Sequence, residues 1–449
     1  MASYSLYSRR SSFFDQTTMH KNTPYSNQQE PGRTFRMACR AQDHELAREL
    51  LNAQGYTFTQ ESFSDLAFAL TSEPQALGGS LANRFGLIYI QDRSSMLPPL
   101  MLNPKPGEAV LDMCASPGGK TGLLSLLVGP EGFVIGNEPN PARLETLRRN
   151  LHRNNALNSA TCSFNGEEIP LEDESFQSIL LDPPCSGWGT VNKNPNVIDM
   201  WSGDKTEPLE KLQRKLLERA AELLVPGGHV LYSTCTTNPR ENEDQVDFAI
   251  RELGLELEPL EHPAGFTVDK PTLAHLEGVL RVGGGQEGGQ GFFLARLKKP
   301  GTPVAPKRQD KFSLPGKPLT RAEKELCTAA GIDLDALPPG EIYNFGGKLF
   351  FIHEQAMRII PSDMRWQGVP IGKYNGKKVK ADARLRSLLP SVESGAPYVD
   401  VESVETIEAL FSGQSIPAPA KGNWAGLAFK GKALARLVVK GSRALWSDR

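Results

Sequence analysis

Cysteine is sparse in this chain of 449 residues: Cys39, Cys114, Cys162, Cys185, Cys235 and Cys327, with no two in a CxxC spacing. That argues against a disulfide scaffold or a zinc ribbon, and reduced thiols fit better. No metal site is expected. Also missing is any apolar run near the roughly 18 residues of a membrane helix. A cytoplasmic chain with no membrane partner is the expectation. Net charge is small, at -2, but unevenly spread. Residues 301–449 hold 22 Lys and Arg against 15 Asp and Glu, leaving 28 against 37 for the rest. A basic carboxyl-terminal third suits a module that binds a polyanion, and a solvated basic face fits the charge nearly as well. What is present, 39% hydrophobic and 23% charged residues, is ordinary for globular domains, and the length allows two or three.

Residues 1–32 are rich in Ser, Tyr, Asn, Gln and Thr without periodicity, and read as a disordered leader. A small α/β extension follows over 33–98. From 99 to 298 strand and helix alternate, which predicts a parallel sheet. Strands are expected at Glu108–Met113, Phe133–Glu138, Ala160–Phe164, Gln177–Asp182 and His229–Thr234. Helices are expected at Gly119–Leu127, Pro141–Asn154, Pro208–Leu224 and Glu241–Leu253. Pro226-Gly227-Gly228 should break the third helix, and Gly291–Leu297 reads as a late strand. The run Gly283-Gly284-Gly285-Gln286-Glu287-Gly288-Gly289 reads as a flexible loop. Five prolines among lysines mark 299–318 as a linker, and 319–449 reads as one small β-rich unit.

Three stretches carry chemistry. Asp112-Met113-Cys114-Ala115-Ser116-Pro117-Gly118-Gly119-Lys120-Thr121 joins the first strand to its helix. Its glycines let backbone approach a ligand, and the helix amino terminus offers free N–H groups. It is not a P-loop, because Cys114 stands where the first glycine belongs, and GxGxxG is absent. Glu138, ending the second strand, is placed to accept ribose hydroxyls. Alone it would pass as a surface residue; beside the glycine loop it favours a nucleoside cofactor.

The second stretch is Leu180-Leu181-Asp182-Pro183-Pro184-Cys185-Ser186-Gly187, a strand stopped by prolines that sets an acid and a thiol at the sheet's carboxyl edge. The third, Tyr232-Ser233-Thr234-Cys235-Thr236, ends the neighbouring strand. Two buried structural thiols, a disulfide, or a reactive pair are the competing readings of Cys185 and Cys235. Both lie at strand ends beside the cofactor loop, which favours the reactive pair.

LDMCASPGGKT, LLDPPCSGWGTVNKNP and YSTCTTNPRENEDQV, with YIQDRSSM before them, resemble the Nol/Nop/Sun (Fmu-type) family of RNA cytosine-5 methyltransferases. The tail, with GVPIG, GNWAG and ALARLVVKG, resembles more loosely the PUA-like RNA-binding domain of bacterial ribosomal-RNA members. The resemblance implies a Rossmann-like class I methyltransferase sheet with S-adenosyl-L-methionine as methyl donor. It places the methionine part on Cys114–Lys120, the ribose on Glu138 and adenine near Asn165. Family members usually have Asp at that last place, so weaker adenine binding is expected. Asp182 would lie beside the methionyl group and hold ring nitrogen 3 of the base, with Cys235 as nucleophile and Cys185 assisting product release. Lys193 is a candidate cation for the thiol or for RNA phosphate, against an ordinary surface lysine. Arg143, Arg148, Arg149 and Arg153 either track phosphates or form a solvated face. Ribosomal RNA is the favoured partner, with transfer RNA open, and the chain is expected to act as a monomer. An amino-methyltransferase would need an aromatic residue where Cys185 stands. A non-catalytic RNA-binding factor would need neither cysteine.

Overall fold

The computed structural model of the protein describes residues 33–191, 193–201, 203–283, 289–307 and 312–446. The expected leader and the centre of the glycine-rich loop lie outside those residues. Among the described residues, no helix is long and apolar enough to cross a membrane.

Six strands form the body of the central sheet: β1 (Ala109–Asp112), β2 (Phe133–Asn137), β3 (Ser159–Cys162), β4 (Phe176–Leu181), β5 (Leu224–Thr234) and β6 (Phe292–Lys298). Their spatial order is β6-β5-β4-β1-β2-β3, with β6 antiparallel and the others parallel. Every residue of β1, β2 and β3 is buried, as in a parallel sheet covered on both faces. Strand order reverses between β1 and β4, where Asp112 pairs in register with Leu180. Such a switch point leaves a ligand crevice outside the carboxyl ends of the strands. On the other side of β4, Leu181 pairs with Tyr232 of β5, so Asp182 and Cys235 leave the same edge.

Four helices follow the expected alternation: α1 (Gly119–Leu127), α2 (Pro141–Arg153), α3 (Glu207–Leu223) and α4 (Glu243–Arg251). In α2 the local logic is plain. Asn140 caps it by accepting from the N–H groups of Ala142 and Arg143, and Pro141 opens its first turn. Leu144, Leu147 and Leu151 share the buried face, each contributing about 1.5–3 kcal/mol by leaving water. One boundary differs from expectation. β5 begins at Leu224, directly after α3, so Pro226-Gly227-Gly228 lies inside the strand rather than before it. The turn is absorbed as a slip in the β4–β5 register between Phe176 and Ser178. Gly227 adopts φ +76°, and a Cβ on Gly228 would meet the Gln177 carbonyl at 2.9 Å.

The extension is a four-stranded antiparallel sheet (Thr34–Met37, Thr57–Gln60, Ala67–Ser72, Ile88–Ile90) packed on the helix His44–Ala53. The carboxyl-terminal third is β-rich but splits into two five-stranded sheets, over 317–381 and 398–445, rather than one. Neither hangs free. The second shares a hydrophobic core with the extension, Phe35 and Leu50 lying in one cluster with Ile407 and Leu437. The region of the first docks on the central domain. Trp366–Gln367 pairs antiparallel with β3, and the His152 ring lies 3.1 Å from the Pro370 carbonyl. The stretch read as a linker also packs down over its described residues. Lys299 donates to the carbonyls of Ala221 and Leu224 at the end of α3, and the Lys307 N–H donates to the Glu174 carbonyl.

Candidate active site

Three chain segments converge at the switch point. The first is the loop from Asp112 to α1. Gly118 caps α1 with φ +104°, a conformation that L side chains rarely adopt, and its Cβ would press Leu147 at 3.0 Å. A Cβ on Gly119 would reach the Tyr89 ring at 3.0 Å. The extension grips this loop from behind. Arg36, fully buried, donates to the Gly119 carbonyl at 2.8 Å and to Gln91 at 3.0 Å. Asp112 is buried, and one of its oxygens accepts from the Thr121 hydroxyl at 2.7 Å. The other is buried without a protein partner.

Burial is also what pushes the Asp112 carboxyl up to about 7. Between about pH 4 and 7 the folded chain therefore keeps a proton that the unfolded chain has released. Stability present below that window is lost as pH rises through it. Asp112→Asn removes this titration, so the excess of its melting temperature over wild type should grow from pH 5 to pH 8. Differential scanning calorimetry across that range checks it.

The second segment is the strand-end carboxylate Glu138, nearly buried. Its oxygens accept from the Asn140 N–H at 2.9 Å and pair with Arg143 at 3.3 Å. Burial raises its pKa against the pull of Arg143. Arg143 also donates to the Ser116 carbonyl at 3.2 Å, so this candidate RNA contact sits on the cofactor side. Asn165, at the head of a short turn, donates from its amide to Glu168 at 3.2 Å. Asn137 ties these pieces together by donating to the carbonyls of Met113 and Phe164.

The third segment carries the acid and the thiols. Asp182 accepts from Lys120 at 2.7 Å on one oxygen and from the Ser233 hydroxyl at 2.9 Å on the other. Burial opposes the charge on Lys120, but Asp182 outweighs it and the ammonium pKa rises. The Lys120 ammonium also lies 5.3 Å from the centre of the Phe292 ring. The sulfurs of Cys185 and Cys235 are 3.3 Å apart. The hydrogen bond with Cys235, then burial, pushes the Cys185 thiol well up.

Lys193, weighed from sequence as a cation for the thiol or for RNA phosphate against an ordinary surface lysine, is exposed and pairs with Asp92 of the extension at 2.5 Å. Among the described residues the cation paired with Asp182 is Lys120, which spacing alone assigned only to the cofactor loop. Sequence reasoning also missed Ser233, whose hydroxyl holds Asp182, and Gln213, Glu241 and Asn242, whose side chains hold the cysteine loops. The run Asn238-Pro239-Arg240-Glu241-Asn242-Glu243, dense in amides and acids just after a cysteine-bearing strand end, was the available signal.

The sheet order, the glycine loop at the switch point and the carboxylate ending β2 are those of a Rossmann-like methyltransferase. A solved methyltransferase homologue from Pyrococcus horikoshii is 33% identical, with a TM-score of 0.51 over 60% of this chain and 87% of that one. The family described as 16S rRNA methyltransferase RsmB/F matches residues 99–298. A ribosomal RNA small subunit methyltransferase F of Shewanella sp. strain MR-7 is 30% identical over 409 residues, 84% of this chain and 81% of its own. That of Shewanella loihica is 34% identical over 302 residues, and the alignment spans 64% of this chain and 62% of that relative. The chain belongs to the RsmB/F methyltransferase family, and its cofactor is S-adenosyl-L-methionine. The residues present fit that group: two glycines where a Cβ would intrude, a helix amino terminus, and a buried carboxylate oxygen of Asp112 with no protein partner.

Proposed function

We propose that the protein methylates carbon 5 of a cytosine in small-subunit ribosomal RNA through a covalent adduct with Cys235. The observation that carries this reading is the pair of thiols 3.3 Å apart on the loops after adjacent parallel strands, beside Asp182. One thiol suffices for nucleophilic catalysis; a second in contact with it is placed to assist the release of what the first has bound.

Carbon 5 of cytosine is a poor nucleophile until a thiolate adds to carbon 6. Cys235 makes that bond. The negative charge that develops at ring nitrogen 3 is met by a proton passed through Asp182 from the Lys120 ammonium it accepts from, and Ser233 fixes the orientation of the carboxylate. S-adenosyl-L-methionine supplies an electrophilic methyl group when bound, held by Cys114–Lys120, Glu138, Asn165 and Asp182. A base then takes the carbon-5 proton, its electrons reform the carbon 5–carbon 6 double bond as the Cys235 sulfur leaves carbon 6, and Cys185 assists that release. A base stacked in a helix cannot reach such an edge, so the target is unpaired or flipped out.

The carboxyl-terminal sheets take the role of a PUA-like RNA-binding module. Lys373, Lys377, Lys378 and Lys380 are exposed on the first of them, and the same region docks against the end of α2, which carries Arg148, Arg149 and Arg153. Changing Lys377, Lys378 and Lys380 together to Glu should raise KM for RNA and leave cofactor affinity unchanged. It should also flatten the dependence of log binding constant on log salt by about 0.7 per lost phosphate contact. Filter binding across a salt series measures it.

Bisulfite sequencing of ribosomal and transfer RNA from cells with and without the gene tests the substrate. One 16S cytosine that loses its mark supports the assignment. A lost transfer-RNA mark with 16S unchanged overturns it.

A further inference from the structure

Behind the two thiols lies a buried carboxylate that the reaction does not use. Glu241 is fully buried in the short turn Pro239–Glu241, between β5 and α4. Four neutral donors converge on it. The Ser186 N–H reaches one oxygen at 2.9 Å, and the Gln213 amide reaches the same oxygen at 3.1 Å. The Ser186 hydroxyl and the Asn238 amide donate to the other. The Tyr232 hydroxyl donates to the Glu241 carbonyl at 2.6 Å, fixing the turn to β5.

The partners are not scattered. Ser186 follows Cys185 directly, and its hydroxyl lies 2.7 Å from that of Thr236, which follows Cys235 directly. Gln213 also donates to the Pro184 carbonyl at 3.0 Å, so Cys185 is held from both flanks. Asn242 does the same for Cys235: it accepts from the Thr234 hydroxyl at 2.5 Å and donates to the Thr236 carbonyl at 2.9 Å. A carboxylate is an acceptor at both oxygens, and an ionised acceptor makes hydrogen bonds stronger than neutral ones. Burying one here, with no cationic partner among the described residues, is costly unless every lone pair is used, and the network is built around that requirement.

We propose that Glu241 is a positioning residue that holds the Cys185 and Cys235 loops at a fixed separation, with Asn242 setting the Cys235 side. It touches neither base nor cofactor. The assignment rests on the two-thiol reaction for its effect on catalysis, but the clamp itself does not.

A measurement free of RNA separates the two. With the thiols at 3.3 Å, an added organic hydroperoxide oxidises them to a disulfide. Two S–H bonds are lost, one S–S bond forms, and the peroxide is reduced to alcohol and water. Mass spectrometry of the full chain follows the loss of two hydrogens and maps the bridge. Glu241→Gln keeps the shape but removes the charge, and its amide N–H₂ must face either the Ser186 N–H, which can only donate, or a hydroxyl and an amide that would have to turn to accept. The expected result is disulfide formation slowed about tenfold. Methylation kcat should fall by about 10²-fold, the scale of an ångström-level misplacement, with KM for S-adenosyl-L-methionine unchanged. Glu241→Asp, which restores the charge on a shorter arm, should recover part of both.

If Glu241→Gln does not fold, Ser186→Ala removes the hydroxyl's bond to Glu241 together with its contact to Thr236, and should slow disulfide formation in the same direction. A folded Glu241→Gln, or a folded Ser186→Ala in its place, with wild-type disulfide rate and kcat overturns the clamp. If the wild type makes no 5-methylcytidine while Glu241→Gln still slows the disulfide, the reaction assignment fails and the clamp stands.

Discussion

Cys235→Ala should lower 5-methylcytidine formation by on the order of 10⁴-fold or more, the scale seen when a covalent nucleophile is removed. Cofactor affinity should stay within about twofold. The two effects separate because Cys235 lies beyond the carboxyl end of β5, while the cofactor loop follows β1, with β4 between them. The change removes a polarisable side chain from the site edge and leaves Asn242 its contacts with the Thr234 hydroxyl and the Thr236 carbonyl. A folded variant is therefore expected. Tritiated methyl transfer to ribosomal RNA reads the first effect, and calorimetric titration of cofactor reads the second. Loss of both together would mean that Cys235 supports the cofactor pocket rather than the bond to carbon 6.

Cys185→Ala should fail at the opposite end of the reaction. Addition of Cys235 and methyl transfer should proceed once per enzyme, and release should stall. A protein–RNA adduct that survives denaturing electrophoresis should then account for most of the enzyme, while multiple turnover drops by about 10²–10⁴-fold, the range for a lost proton-transfer group. The position of Cys185 supports this: its sulfur is in contact with Cys235, and its own thiol is held protonated by that contact and by burial. A spare buried thiol would give neither the adduct nor the loss.

How much of this was legible in the sequence depended on range. The carboxyl end of β4 is legible because an apolar run stops at Asp182; β5 ends at Thr234 as expected, β1 ends at Asp112, one residue short of the expected Met113, and α1 matches residue for residue. Adjacency of β4 and β5 followed from doubly wound topology, and so did the pairing of their thiols at one edge. What escaped was set by contacts distant in sequence. Glu241 meets Ser186, 55 positions away, and Gln213, 28 away, so the polar run over 238–243 marks the turn but not its partners. The pairing of Lys193 with Asp92 is not legible locally, because the partner lies 101 positions upstream. The carboxyl-terminal third was read as one unit because short strands and turns look alike. Which strands pair is decided by packing, the extension burying one sheet and the central domain the other. Pro226-Gly227-Gly228 misled for a simpler reason: the same residues end helices and make strand irregularities.

The covalent bond itself is the most direct test. Cys185→Ala protein incubated with small-subunit ribosomal RNA and S-adenosyl-L-methionine, then digested with nuclease and protease, yields peptides whose attached nucleotide can be weighed and placed by tandem mass spectrometry. A methylated cytidine nucleotide on Cys235 is the expected result. Methylated RNA recovered with no adduct, or a nucleotide attached at another residue, would contradict it.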